Sequence, residues 1–144
     1  MLFKADPTFY PSPKLAAQAP AEKLAYVAAL NPNGGGHPDA LVVVDVDSQS
    51  QKYASIVGQV NMPNAEDELH HFGWNACSSA LCPYAPHPHV ERRYLIVPGL
   101  RSSRIHVLDT KPDPEKPKIV KIIEPLSVYE RTGYSRPHTV HCGP

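Results

Sequence analysis

Seventeen prolines spread through 144 residues set the strongest limit on what this chain can fold into. Each proline removes a backbone donor and clashes with the preceding turn of a helix. At that density long helices are forbidden almost everywhere. With only eight glycines beside them, the sequence describes short strands joined by stiff turns.

The strands are legible as apolar runs between these breaks. Residues 1–22, with Pro7, Pro11, Pro13 and Pro20, read as an extended arm laid over the rest. A first run at 24–30 ends at Asn31-Pro32-Asn33 and three glycines. A second at 40–46 is β-branched and too short for an ordinary helix. The polar turn 47–51 leads to a third at 53–60, stopped by Met62-Pro63. The phrase then recurs: strands at 94–98, 104–109 and 118–123, and another stop at Glu124-Pro125.

Superimposing Asp45 on Asp109 aligns Leu41-Val42-Val43-Val44 with Ile105-His106-Val107-Leu108. After a one-residue slip in the turn, Ile56-Val57 falls on Ile119-Val120. The period exceeds the ~40–50 residues of common propeller blades, and an insertion at 64–91, rich in His, Pro and Cys, accounts for the excess. Strand–turn–strand units of this kind suit an all-β fold, a β-propeller in preference to a closed sandwich. On this reading residues 23–144 form about two blades. Closing a ring takes at least ~4 blades, so the chain is expected to be the N-terminal part of a longer protein. Alone, two blades would expose unpaired sheet edges.

Fourteen basic and fourteen acidic side chains balance with His neutral. That excludes the basic footprint of a nucleic-acid binder and a polybasic membrane anchor. No apolar run approaches the ~20 residues of a membrane span, and the first residues lack the apolar segment of a secretory signal. A cytosolic protein is the expectation.

Half of the eight histidines lie in two short stretches, Glu68-Leu69-His70-His71 and Pro137-His138-Thr139-Val140-His141, with Cys77 and Cys142 close by. Imidazole and thiolate together suit a soft or borderline metal such as copper or zinc. The competing reading is capping or core histidines satisfied by backbone carbonyls. Adjacent residues on a strand face opposite ways, so His70 and His71 can share one ion only if the chain turns there. In the repeat, both clusters follow the end of a blade's outer strand, where the chain returns toward the axis. Three cysteines match no zinc-finger spacing. Cys77 and Cys82 can pair as a disulfide, although cytosolic thiols are more often reduced, buried or metal-bound.

Four strings, DELHHFGWNACSS (67–79), HPHVERRYLIVPGLRSSRIHVLDTKPDP (87–114), KIVKIIEP (118–125) and GYSRPHTVHCGP (133–144), closely resemble the selenium-binding protein family. That family includes copper-dependent methanethiol oxidases. The resemblance implies a seven-bladed β-propeller and the conversion of methanethiol, oxygen and water to formaldehyde, hydrogen sulfide and hydrogen peroxide. It implies copper ligands at His70, His71, His138 and His141, and selenium or thiol binding at Cys77. Many animal members continue this motif as C-S-S-C, whereas this chain has Cys77-Ser78-Ser79-Ala80 with Cys82 displaced by two residues. A function that needs the paired thiols is therefore in question; one that needs only the first is not. The alternative function is a selenium- or thiol-binding protein without turnover. The isolated chain, lacking further blades, is expected to be inactive.

The remaining candidates have plainer readings. Asp67 and Glu68 read as loop caps or solvated charges, and no general base emerges. His87 and His89 alternate with prolines in a stiff surface loop. His106, in mid-strand, reads as structural, Trp74 as core or channel wall, and Cys142 as buried. Arg92, Arg93, Arg101 and Arg104 would steer an anion or serve as turn and edge charges.

Overall fold

Each apolar run becomes a strand of an antiparallel meander, and two such meanders make up most of the protein. The computed structural model describes residues 12–31, 36–76 and 91–141. The first sheet has the order β1 (Leu24–Ala29), β2 (Pro38–Asp45), β3 (Ile56–Ala65). The second has β4 (Gly73–Trp74), β5 (Tyr94–Pro98), β6 (Ile105–Asp109), β7 (Lys118–Ile123). All pairings are antiparallel. The chain is mostly β, as its proline content dictates.

The repeat has a geometric counterpart. The register between β2 and β3 shifts at Val43/Val44, and that between β6 and β7 shifts at Val107/Leu108, the residues the superposition pairs. The aspartates that end the two inner strands also behave alike. Asp45 Oδ1 accepts from the N–H of Asp47 at 2.9 Å, and Asp109 Oδ1 from that of Lys111 at 3.1 Å. Both turns therefore open on an aspartate that replaces a lost ladder bond.

Three prolines act differently from the sequence reading. Pro63 does not stop β3, which continues to Ala65. It lies on an edge strand where the pairing slips between Pro38 and Ala40, so no ladder bond needs its missing donor. Pro125 ends β7 but opens a helix, α2 (Pro125–Thr132), because proline is tolerated where the first N–H has no helical partner. Gly133, at φ 71°, closes that helix in the left-handed conformation. Within the expected extended arm, Pro13–Ala17 forms one short helix, α1, capped by the Ser12 hydroxyl accepting from the Leu15 N–H.

One cluster of fully buried side chains joins the two sheets: Leu41, Met62, Leu69, Leu95, Val97 and Leu108. Full burial of each leucine contributes roughly 1.5–3 kcal/mol. Tyr26, Phe72 and Trp74 pack around them, so Trp74 is a core-flanking residue, with Arg92 stacked 4.9 Å from its ring. The turn before β7 crosses onto the first sheet. There the Tyr26 hydroxyl donates to the Pro114 carbonyl at 2.9 Å, and Gly58 leaves room for the Glu115 carbonyl. Among the described residues no helix is long and apolar enough to cross a membrane.

Candidate metal centre

Leu69 stands in the seam between the sheets, and the residues around it form a clamped loop. Glu66 and Glu68 adopt φ of 61° and 55°, a region that disfavours side chains with a Cβ. The chain therefore turns just before the histidine pair, which was the condition for His70 and His71 to face one ion. Both sheets hold the turn. Asp39 of β2 accepts from the Leu69 N–H at 3.0 Å. The hairpin between β5 and β6 donates from Leu100 to the Glu68 carbonyl at 2.9 Å and from Arg101 to the Asp67 carbonyl at 3.2 Å. The His70 N–H donates to the Pro98 carbonyl at 2.9 Å.

The second histidine stretch docks directly onto the first. His71 and Thr139 form a parallel bridge, and the Val140 N–H donates to the His71 carbonyl at 2.9 Å. Gly73 permits this approach, since a Cβ there would lie 3.1 Å from the Val140 carbonyl oxygen. The result is a cluster of three imidazoles. His70 and His138 have ring centroids 4.0 Å apart, His70 and His71 4.7 Å, and His71 and His138 4.9 Å. One potential ligand atom from each lies within 4.8 Å of those of the other two. His141, also expected as a ligand, is exposed and lies outside this trio. Cys77, Cys82, Cys142, His87 and His89 lie outside the described residues.

The electrostatics favour the metal-binding form of His70. Burial lowers the pKa of His70, and the neighbouring His138 and His71 lower it further. A neutral imidazole is the form that ligates. His70 Nδ1 is buried with no hydrogen-bond partner among the described residues, an expense that a metal ion would remove.

Thr139 is a part of the site that the sequence reading passed over. Its hydroxyl lies 2.7 Å from His138 Nδ1 and 3.4 Å from His71 Nδ1. Contacts of this kind fix ring orientation and tautomer, leaving the other nitrogen of each ring to a ligand. The threonine inside the motif His138-Thr139-Val140-His141 was the available signal.

Asp67 is neither a cap in solvent nor a surface charge: it is fully buried, beside Arg104 and His106. Glu68 pairs with Arg101 at 3.1 Å. The arginines are also engaged within the chain. Arg93 holds Asp109, Arg104 holds Asp67 and Glu124, and Arg92 approaches Glu22. These pairings favour turn and edge charges over an anion funnel.

Comparison with known proteins fits this arrangement to a family. The family model described as 56 kDa selenium-binding protein matches residues 3–144. The chain belongs to the selenium-binding protein family. Within that family it is 47% identical over 134 residues to selenium-binding protein 3 of Arabidopsis thaliana, covering 92% of this chain and 27% of the relative. It is 43% identical to the methanethiol oxidase of Xenopus laevis, covering 92% of this chain and 28% of that protein. An X-ray structure of a hypothetical selenium-binding protein from Sulfolobus tokodaii superposes with a TM-score of 0.88 at 62% identity, over 96% of this chain and 30% of that one. The chain thus spans less than a third of the length of these family members.

Proposed function

We propose that this chain supplies the histidine centre of a copper-dependent thiol oxidase of the methanethiol oxidase type, built on a β-propeller of which the two sheets are blades. The observation that carries the reading is the three-imidazole cluster of His70, His71 and His138, with its orphaned His70 Nδ1. These residues would hold copper, with His141 three positions beyond His138. Copper, when bound, would supply redox chemistry with oxygen, which an imidazole set suits. The relatives named methanethiol oxidase, at 40–43% identity, support the substrate class.

The chain's own residues have defined parts in this reading. Burial and the neighbouring imidazoles shift His70 toward its neutral form. Thr139 orients His71 and His138. Ala28, Leu30, Leu69 and Phe72, together with His70 and His71, line an open hollow of about 380 Å³. Its apolar wall suits the methyl group of a small thiol. The balanced overall reaction takes methanethiol, oxygen and water to formaldehyde, hydrogen sulfide and hydrogen peroxide. Further blades would lie in the part of the relatives that this chain does not span.

A second reading, selenium or thiol binding through Cys77 without turnover, draws support from relatives named selenium-binding protein. Copper analysis of the intact protein, with sulfide and peroxide assays on methanethiol, separates the two. Copper at one equivalent and peroxide release support the oxidase. Selenium uptake through Cys77 by a protein that takes up no copper would sink it.

A further inference from the structure

We infer that His106 is a positioning residue for the imidazole cluster, acting through Asp67 on the loop that presents His70 and His71. The inference rests on the metal reading above and gives that site a support from inside the second sheet.

Packing alone does not account for a histidine at this place. His106 sits in the middle of β6, fully buried, and neither of its ring nitrogens has a hydrogen-bond partner among the described residues. Its counterpart in the repeat is Val42, also buried and in the inner strand of its sheet. A buried valine is thus compatible with the inner strand of such a meander. Burying an imidazole instead costs free energy unless a partner offsets it.

The group that faces this imidazole is Asp67. His106 Nε2 lies 3.4 Å from Asp67 Oδ2, longer than a good hydrogen bond, and both side chains are fully buried with no closer partner for either atom among the described residues. Arg104 reaches the other carboxylate oxygen from the more exposed side, 3.1 Å from Oδ1, and is itself shared with Glu124. Burial pushes the Asp67 carboxyl up, but His106, Ser102 and Arg104 outweigh it and hold the group below the usual carboxylate range. Asp67 is therefore a buried carboxylate held by Arg104 on one side and faced by His106 in looser contact on the other.

What that grip controls is the backbone. Asp67 lies between Glu66 and Glu68, both at positive φ. Non-glycine residues persist in that region only where their surroundings over-determine them. Gly99 lets the β5–β6 hairpin close on the loop, since a Cβ there would lie 3.0 Å from the Asp67 carbonyl oxygen. Two residues after the second strained position comes His70, whose ring must sit 4.0 Å from that of His138. Release of the carboxylate would let the strained turn relax and carry His70 and His71 away from His138.

The test uses the intact protein and the substitution His106→Val, the residue that the repeat already uses. Histidine-labelled apo-protein is read by NMR, and Cu(II) affinity is measured separately by competition with a chelator. The expected result is displaced or broadened imidazole signals for His70, His71 and His138. Cu(II) affinity is expected to fall at least tenfold, with His106→Gln, which keeps an N–H near Nε2, restoring most of it. A folded His106→Val protein with unmoved cluster signals and affinity within twofold of the parent overturns the inference. If His106→Val does not fold, the near-isosteric Asp67→Asn is read in the same way, and an undisturbed cluster there overturns it too. A parent that binds no copper defeats the metal reading alone; the imidazole signals still decide this one.

Discussion

The carboxylate of Asp39 in β2 accepts a hydrogen bond from the backbone N–H of Leu69, 3.0 Å away in the buried seam between the two sheets. Its other oxygen accepts from the Asn31 N–H at 2.8 Å. One side chain of the first sheet therefore fixes the end of β1 and the entry to His70 together. Hydrogen bonds to a charged group contribute about 1.5–3 kcal/mol each. Asp39→Ala is expected to destabilise the fold by about 3–6 kcal/mol in urea titration and to weaken metal binding as well. A loss below about 0.5 kcal/mol, the usual range for a surface substitution, would show that this contact is incidental.

Gly58 makes a sharper prediction about how the sheets join. A Cβ at this position would lie within bonding distance of the Glu115 carbonyl, so backbone would have to move. Overpacking of this kind costs about 1–3 kcal/mol or more. Gly58→Ala is expected to lower the thermal midpoint and to break the neighbouring Tyr26 contact with the Pro114 carbonyl. The tyrosine's near-ultraviolet circular dichroism reports that contact. An unchanged midpoint and spectrum would mean that the turn before β7 does not dock on the first sheet.

Arg93 and Asp109 predict the direction of acid sensitivity. The guanidinium makes a two-pronged contact, 2.8 Å from Nε to Oδ1 and 2.5 Å from Nη2 to Oδ2. It holds the Asp109 carboxyl below its ordinary value despite the opposing effect of burial. Between the folded and unfolded values the unfolded chain binds more protons, so stability rises with pH across that window. The contribution is complete above the unfolded carboxylate value, near pH 4, and is lost as pH falls through the lower folded one. Asp109→Asn is expected to flatten the stability profile below about pH 4, measured by denaturant unfolding at a series of pH values. A profile as steep as the parent's would assign the acid sensitivity to other groups.

How much of this was readable in the sequence depends on the range of the interactions involved. The strands were legible because apolar runs and their breaks are local, and Asp45 and Asp109 marked the repeat because each closes its own turn. Pro63 was misread, and Pro125, a strand stop as expected, also opens a helix, because a proline's effect depends on whether its missing donor faces a partner. That is set by sheet order and helix phase, not by neighbouring residues. Asp67 looked like a solvated loop charge because its partners, Arg104 and His106, arrive from a strand more than thirty residues away. The histidine motifs named residues that do cluster, but not the contact that joins them: the bridge from His71 to Thr139 brings His138 against His70 and His71.

The second motif, with His138 in the trio and His141 outside it, yields the last prediction. Cu(II) affinity is expected to respond unequally to alanine at its two histidines. His138 contributes one of three ring nitrogens within 4.8 Å of one another, so His138→Ala removes a ligand and leaves two. Loss of a residue that only orients a ligand typically costs ~10–100-fold in metal affinity, and loss of the ligand itself should cost at least that. Thr139→Val, which keeps the shape but removes the hydroxyl between His138 and His71, is expected to cost on the order of tenfold. His141→Ala leaves all three clustered rings in place and is expected to change affinity by no more than a few-fold. Chelator competition on the three variants, with circular dichroism to verify folding, ranks them. Equal losses at His138 and His141 would mean that the ion is held by a fourth imidazole that the trio alone does not include.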